Sequence, residues 1–241
     1  GISSETELQN AVANGYYYLT APITLTSTWT PKDGVVLCLN GNTITMEADK
    51  DAVEVTYSKT FTLCDCQDNG KITHGTKADG TKYTGRGVLV SNSSTFIMNG
   101  GKITGNTLSD SDGGGGVKVE ISSTFTMNGG NISDNHVKGH GGGVSVGGSC
   151  SVTMNGGIIG GDAEGDANTA GGSGGGVFVS YSFTMTGGTI TGNQCDSYGG
   201  GIYSGYKLNI SGTPVITGNK KGDAENNLYL LISVDKFTVT D

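Results

Sequence analysis

The acid–base side chains of this 241-residue chain are few: three histidines (His74, His136, His140), one arginine (Arg86) and aspartates scattered between apolar runs. Inverting glycoside hydrolysis requires two carboxyl groups roughly 6.5–9.5 Å apart with a water between them. Asp110 and Asp134 are candidates for such a pair, as are many other loop pairs. β-Elimination from an acidic sugar requires a basic residue that takes a proton beside the sugar carboxylate, typically with help from calcium. Arg86 is the candidate, and the sequence shows no acidic cage around it. Asp162-x-Glu164-x-Asp166 has an oxygen ligand at every second position, as calcium loops do. It lacks the glycine at position 6 and the distal glutamate of an EF-hand, which favours a solvated acidic loop. No cofactor is expected; calcium at this loop is the one alternative. Five cysteines leave at least one thiol unpaired. Cys64-x-Cys66, with one intervening residue and no second pair, is neither a zinc nor a redox signature.

What must position these groups is a repeat. One segment recurs as STFIMNGGKITGN from Ser94, STFTMNGGNISDN from Ser123, CSVTMNGGIIGGD from Cys150, YSFTMTGGTITGN from Tyr181 and, degenerate, KLNISGTPVITGN from Lys207. Ahead of each copy from Ser123 on stand glycines and a short β-type run: GGGVKV, GGGVSV, GGGVFV and GGGIYS. The unit reads as three short strands. The first is anchored on Val53, Val88, Val117, Val144, Val177, Ile202 and Leu228. The second carries Leu37, Leu63, Met98, Met127, Met154, Met185, Ile210 and Val239, and the third Ile44, Ile72, Ile103, Ile132, Ile159, Ile190 and Ile216. Such strands cannot bury a face alone, so the units must stack, with like residues in columns at the roughly 4.8 Å spacing of neighbouring strands. Glycine, 44 of the 241 residues, then marks corners rather than flexibility. Asn40, Asn99, Asn128 and Asn155 are expected to form one amide ladder at a corner, and Asn106, Asn135, Asn193 and Asn219 another.

The expected fold is therefore all-β: a single domain over residues 1–241, a single-stranded right-handed parallel β-helix of about eight three-strand coils, with repeats from about residue 35. Ser4 and Glu7 match a capping box, and a short helix over 4–13 with Leu8, Ala11 and Val12 on one face is expected to cover the N-terminal end. Cys38 and Cys64 align in consecutive coils and are expected as free or core thiols. The variable segments fall between third strand and next first strand, which gathers the three histidines, Arg86, Asp110, Asp112, Asp162, Glu164, Asp166, Cys195, Asp196 and Tyr198 on one edge. Polar residues collect wherever backbone is solvated, and that is the plainer reading of the edge. The outward middle of the first strand reads Glu54, Leu89, Lys118, Ser145, Phe178, Tyr203, Tyr229, turning aromatic toward the C-terminus, with Tyr181, Tyr198 and Tyr206 close in sequence. A strip made of Phe178, Tyr203, Tyr229, Tyr198 and Tyr206 suits sugar rings or a protein partner.

The GGGV and FTMNGG-TITGN blocks resemble the repeats of large surface proteins of Gram-positive gut bacteria. More distantly they resemble the GGA-(I/V/L) and F-x-x-N repeats of chlamydial polymorphic outer-membrane adhesins. Phe96 to Asn99 and Phe125 to Asn128 meet the F-x-x-N form, and Phe183 to Thr186 breaks it. LCLNGNTIT and FTLCDCQDNGKIT extend the first likeness over nearly the whole chain. The resemblance implies a pectin-lyase-like β-helix exposed on a cell surface, and no particular ligand. Gly139-His140-Gly141 is similar to the Gly-His-Gly of polygalacturonases, whose Asn-Thr-Asp, Asp-Asp and Arg-Ile-Lys elements are absent here. With 14 basic against 22 acidic residues the chain has little with which to neutralise phosphate, so nucleic acid is not an expected partner. No run approaches the roughly 20 apolar residues of a membrane helix. The function expected is a non-catalytic extracellular module of a bacterial surface protein, an adhesin or stalk that binds glycans or host proteins. The alternative is a lyase or glycoside hydrolase acting on acidic plant or host polysaccharide.

Overall fold

A computed structural model describes residues 1–109, 111, 113–231 and 237–240. The chain winds as an all-β parallel β-helix, with strands stacked in ladders along its length. Alternation decides what faces inward. In Thr124–Met127, Phe125 and Met127 are buried while Thr124 and Thr126 are half-exposed, as a strand with one covered face requires. Every expected column forms in register. Val53, Val88, Val117, Val144, Val177, Ile202 and Leu228 pair in succession. So do Leu37, Leu63, Met98, Met127, Met154, Met185, Ile210 and Val239, and the isoleucines from Ile44 to Ile216. Beside the methionines, Phe61 stacks on Phe96 and Phe96 on Phe125, with centroids 5.6 and 5.0 Å apart. At roughly 1.5–3 kcal/mol per buried large side chain, one such set per coil supplies a core from a modest apolar content.

The structure departs from expectation in three places. First, winding begins at Tyr16–Tyr18 and Ile23–Leu25, ahead of residue 35, and seven turns rather than about eight carry a strand in the first ladder. The opening coil has only an isolated bridge from Trp29 to Val53 in that place. Second, later coils have a fourth side. Two-residue strands Thr107–Leu108, His136–Val137, Thr169–Ala170, Gln194–Cys195 and Lys220–Lys221 stack in a ladder of their own. Their inward residues Leu108, Val137, Ala170 and Cys195 form a small second core. Third, the N-terminal helix is only Glu5–Gln9, capped by Ser4 and ended by Asn10. Leu8 and Ala11 are buried, but Val12 is exposed because the helix stops before reaching it. Glu7 closes the cap one residue earlier than a capping box does: its carboxylate accepts from the Ser3 backbone N–H at 2.7 Å.

Two kinds of glycine hold the shape. Gly130 turns the corner between second and third strands at φ +87°, where a Cβ would meet the Gly101 carbonyl and Met98 Cε at 2.6 Å. Gly116 is needed for closeness: a Cβ there would meet Ile132 Cγ2 at 2.5 Å and the Gly143 carbonyl at 2.6 Å.

At the corner leading into the fourth ladder, the side-chain amides of Asn106, Asn135, Asn168, Asn193, Asn219 and Asn227 bond in series at 2.8–3.0 Å. Asn168 and Asn227 extend the expected row. In the other row Asn155 bonds Asn128 and Asn128 bonds Asn99. Asn40 is not a member, since its amide donates to the Leu19 carbonyl.

Candidate functional site

The middle residue of each first strand points away from the core by strand alternation, most plainly in Val177–Val179 and Ile202–Ser204, where its neighbours are buried. Ser145, Phe178, Tyr203 and Tyr229 therefore stand in register on the outer face. The rings close into a column. Phe178 and Tyr203 stack with centroids 5.0 Å apart, and Tyr203 and Tyr229 at 5.6 Å, each pair within 8° of parallel. His140 covers one end at 4.6 Å from Phe178, and Tyr198 covers the other at 4.5 Å from Tyr229. Lys221 Nζ lies 4.5 Å from the Tyr198 centroid, a cation–π contact that closes the row. Ring faces are thus spent on one another, and the column offers partners its edges and phenolic hydroxyls. Four of the five expected strip residues belong to it. The fifth, Tyr206, instead stacks on Tyr181 at 5.3 Å, and both of these are exposed.

The acid–base candidates are engaged elsewhere. His140 is the end ring of the column, and its Nδ1 accepts from the Ser173 backbone N–H at 2.8 Å. Arg86, for which no acidic partner is visible in the sequence, pairs with Asp51 at 3.1 Å, both side chains largely buried, and donates through Nε to the Gly113 carbonyl. His74 is buried, with Nδ1 2.7 Å from Asn106 Oδ1 and Nε2 2.8 Å from the Lys50 carbonyl, so it heads the asparagine row. Asp110 lies outside the described residues.

Asp134 is close to a different partner. His136 Nε2 is 2.8 Å from Asp134 Oδ1, and His136 Nδ1 is 2.6 Å from Thr169 Oγ1. This hydroxyl–imidazole–carboxylate chain has the connectivity of an activated nucleophile. It also follows from ladder register, since His136 and Thr169 are directly paired on neighbouring coils. Sequence reading missed it because the fourth ladder, which creates the pairing, was not visible.

Asp162 accepts from Thr191 Oγ1 at 2.6 Å. Asp162 and Glu164 line a shallow cavity of about 350 Å³ with Gln194 and Lys220, and Asp166 is not among its lining residues. Among the described residues, no three His, Cys, Asp or Glu side chains converge as metal ligands. Also among them, no helix is long and apolar enough to cross a membrane.

Fold and surface together define the class: a parallel β-helix carrying an ordered aromatic column on its first ladder. No family model, curated protein or solved structure matches the chain.

Proposed function

We propose that this chain is a non-catalytic β-helix module of a bacterial surface protein, working outside the cell as a rigid stalk whose aromatic column recognises a glycan or a protein. The column carries the reading. Its rings present apolar edges and polar tips at the roughly 4.8 Å rung spacing. An extended polysaccharide advances by a comparable distance per sugar, so a glycan laid along the axis would meet one ring edge per residue. The engagement of Arg86 with Asp51 and of His140 with Phe178 supports the same reading, because both candidates already have structural partners. The likeness to gut-bacterial surface repeats supports the location.

One observation favours the second reading, hydrolysis or elimination on an acidic polysaccharide: the Asp134–His136–Thr169 chain. A glycan array run beside a uronic-acid release assay on polygalacturonate and alginate separates the two. Binding without turnover is expected, and turnover of either polymer overturns the first reading. Replacing Phe178 and Tyr203 together by alanine should weaken binding at least about tenfold, as loss of aromatic anchors does. Unchanged binding would remove the column from the function.

A further inference from the structure

Three cysteines meet at the N-terminal end of the β-helix. Cys38 and Cys64 are in-register partners on consecutive coils. Cys66, beyond the end of its strand, returns toward the first of these, and its Sγ lies 3.2 Å from Cys38 Sγ. Cys64 Sγ instead points at the Leu37 carbonyl at 3.5 Å. Cys66 is exposed and Cys38 half-buried, so a small oxidant can reach the pair from solvent.

We propose that Cys38 and Cys66 are a disulfide site, oxidised by exchange with a low-molecular-weight disulfide such as oxidised glutathione. Cys66, as thiolate, attacks one sulfur of that disulfide and releases one glutathione thiolate. Cys38, as thiolate, then attacks Cys66 Sγ and releases the second. The two protein thiols lose two protons and two electrons, and the small disulfide gains both to become two thiols. The sulfurs need to close by about 1.2 Å to reach bond length, a movement within the reach of χ1 rotation at an exposed corner. Geometry separates the two candidates for Cys38: Cys66 is exposed with its Sγ already 3.2 Å away, whereas Cys64 is half-buried with its Sγ toward the Leu37 carbonyl. Cys38 pushes the Cys66 thiol up, and burial, then Cys38, push the Cys64 thiol up to about 11, so the more exposed Cys66 is the better attacking group. The bridge would tie the second coil to the third, the rungs of Val35–Cys38 and Thr60–Cys64, a constraint suited to an oxidising compartment.

The test uses the whole chain incubated with excess oxidised glutathione near pH 8, followed by intact mass and peptide mapping under non-reducing conditions. The expected result is a mass lower by about 2 Da, a Cys38–Cys66 cross-linked peptide, and a Tm higher by roughly 5–10 °C. Cys64→Ser should keep the bond, and Cys66→Ser should abolish it. A stable glutathione adduct on Cys66, a Cys38–Cys64 link, or no change in mass would each overturn the proposal. The wild-type map decides even where a variant fails to fold.

Discussion

Asn168 does four things with one amide. Its Oδ1 accepts from the Asn135 backbone N–H at 3.1 Å and from Asn135 Nδ2 at 2.9 Å. Its Nδ2 donates to the Ile132 carbonyl at 2.7 Å and to Asn193 Oδ1 at 2.9 Å. All of these groups are buried, so removing the amide strands donors and acceptors that water cannot reach. Asn168→Ala should cost about 2–4 kcal/mol, measured by urea unfolding. Asn168→Asp should cost more, because a carboxylate would face two oxygens it cannot donate to. A near-neutral Asn168→Asp would show that the row is not held by directional hydrogen bonds. Asn168 also shows why the expected row of asparagines was incomplete. The acidic insertion around Asp162–Asp166 displaces it from the repeat, so spacing alone does not align it with Asn135 and Asn193.

At the scale of the element, corners and strands make different demands. Gly130 sits at φ +87° against the Gly101 carbonyl, so Gly130→Ala should cost about 1–3 kcal/mol from backbone conformation alone, before the collision is counted. Gly148 is the control: nothing lies within 4 Å of a Cβ built there, and its φ is outside the left-handed region. Gly148→Ala should be neutral or stabilising by up to about 1 kcal/mol, and equal effects at the two sites in thermal unfolding would sink the distinction. The same contrast explains what could be read in advance. Strands of three to five residues with alternating burial declare both their inward columns and their outward faces, as Val177–Val179 and Ile202–Ser204 do for Phe178 and Tyr203. Tyr229 follows by repeat position, since Leu228–Leu230 is half-buried throughout. Two-residue strands such as His136–Val137 contain no alternation to detect, so the fourth ladder and the His136–Thr169 pair were hidden. Tyr16–Tyr18 was hidden for a related reason: three like residues in a row show no period.

The whole molecule behaves as a line of coils, each held mainly by its neighbours, so its weakest places are its ends. At the N-terminal end the helix Glu5–Gln9 is tied to the first coil by Glu5, whose carboxylate accepts from the backbone N–H and hydroxyl groups of Thr26 and Ser27 at 2.9–3.1 Å. Burial alone would push the Glu5 carboxyl up, but these hydrogen bonds outweigh it and hold the group below its ordinary value of 4.5. A carboxyl depressed in the folded state stabilises fully above its unfolded value. That stabilisation is lost as pH falls through the folded value. Acidification below about pH 4.5 should therefore loosen the cap first. Hydrogen exchange at Thr26, Ser27 and the Tyr16–Tyr18 rung should accelerate while the central coils around Met127 stay protected. Glu5→Gln should show the looser cap already at pH 7 and a smaller further change on acidification, the remainder coming from Glu7, whose carboxyl is held below its ordinary value by hydrogen bonds from Ser3. Exchange that rises first in the central coils, or a Glu5→Gln protein with the wild-type acid response, would mean that Glu5 does not govern this end.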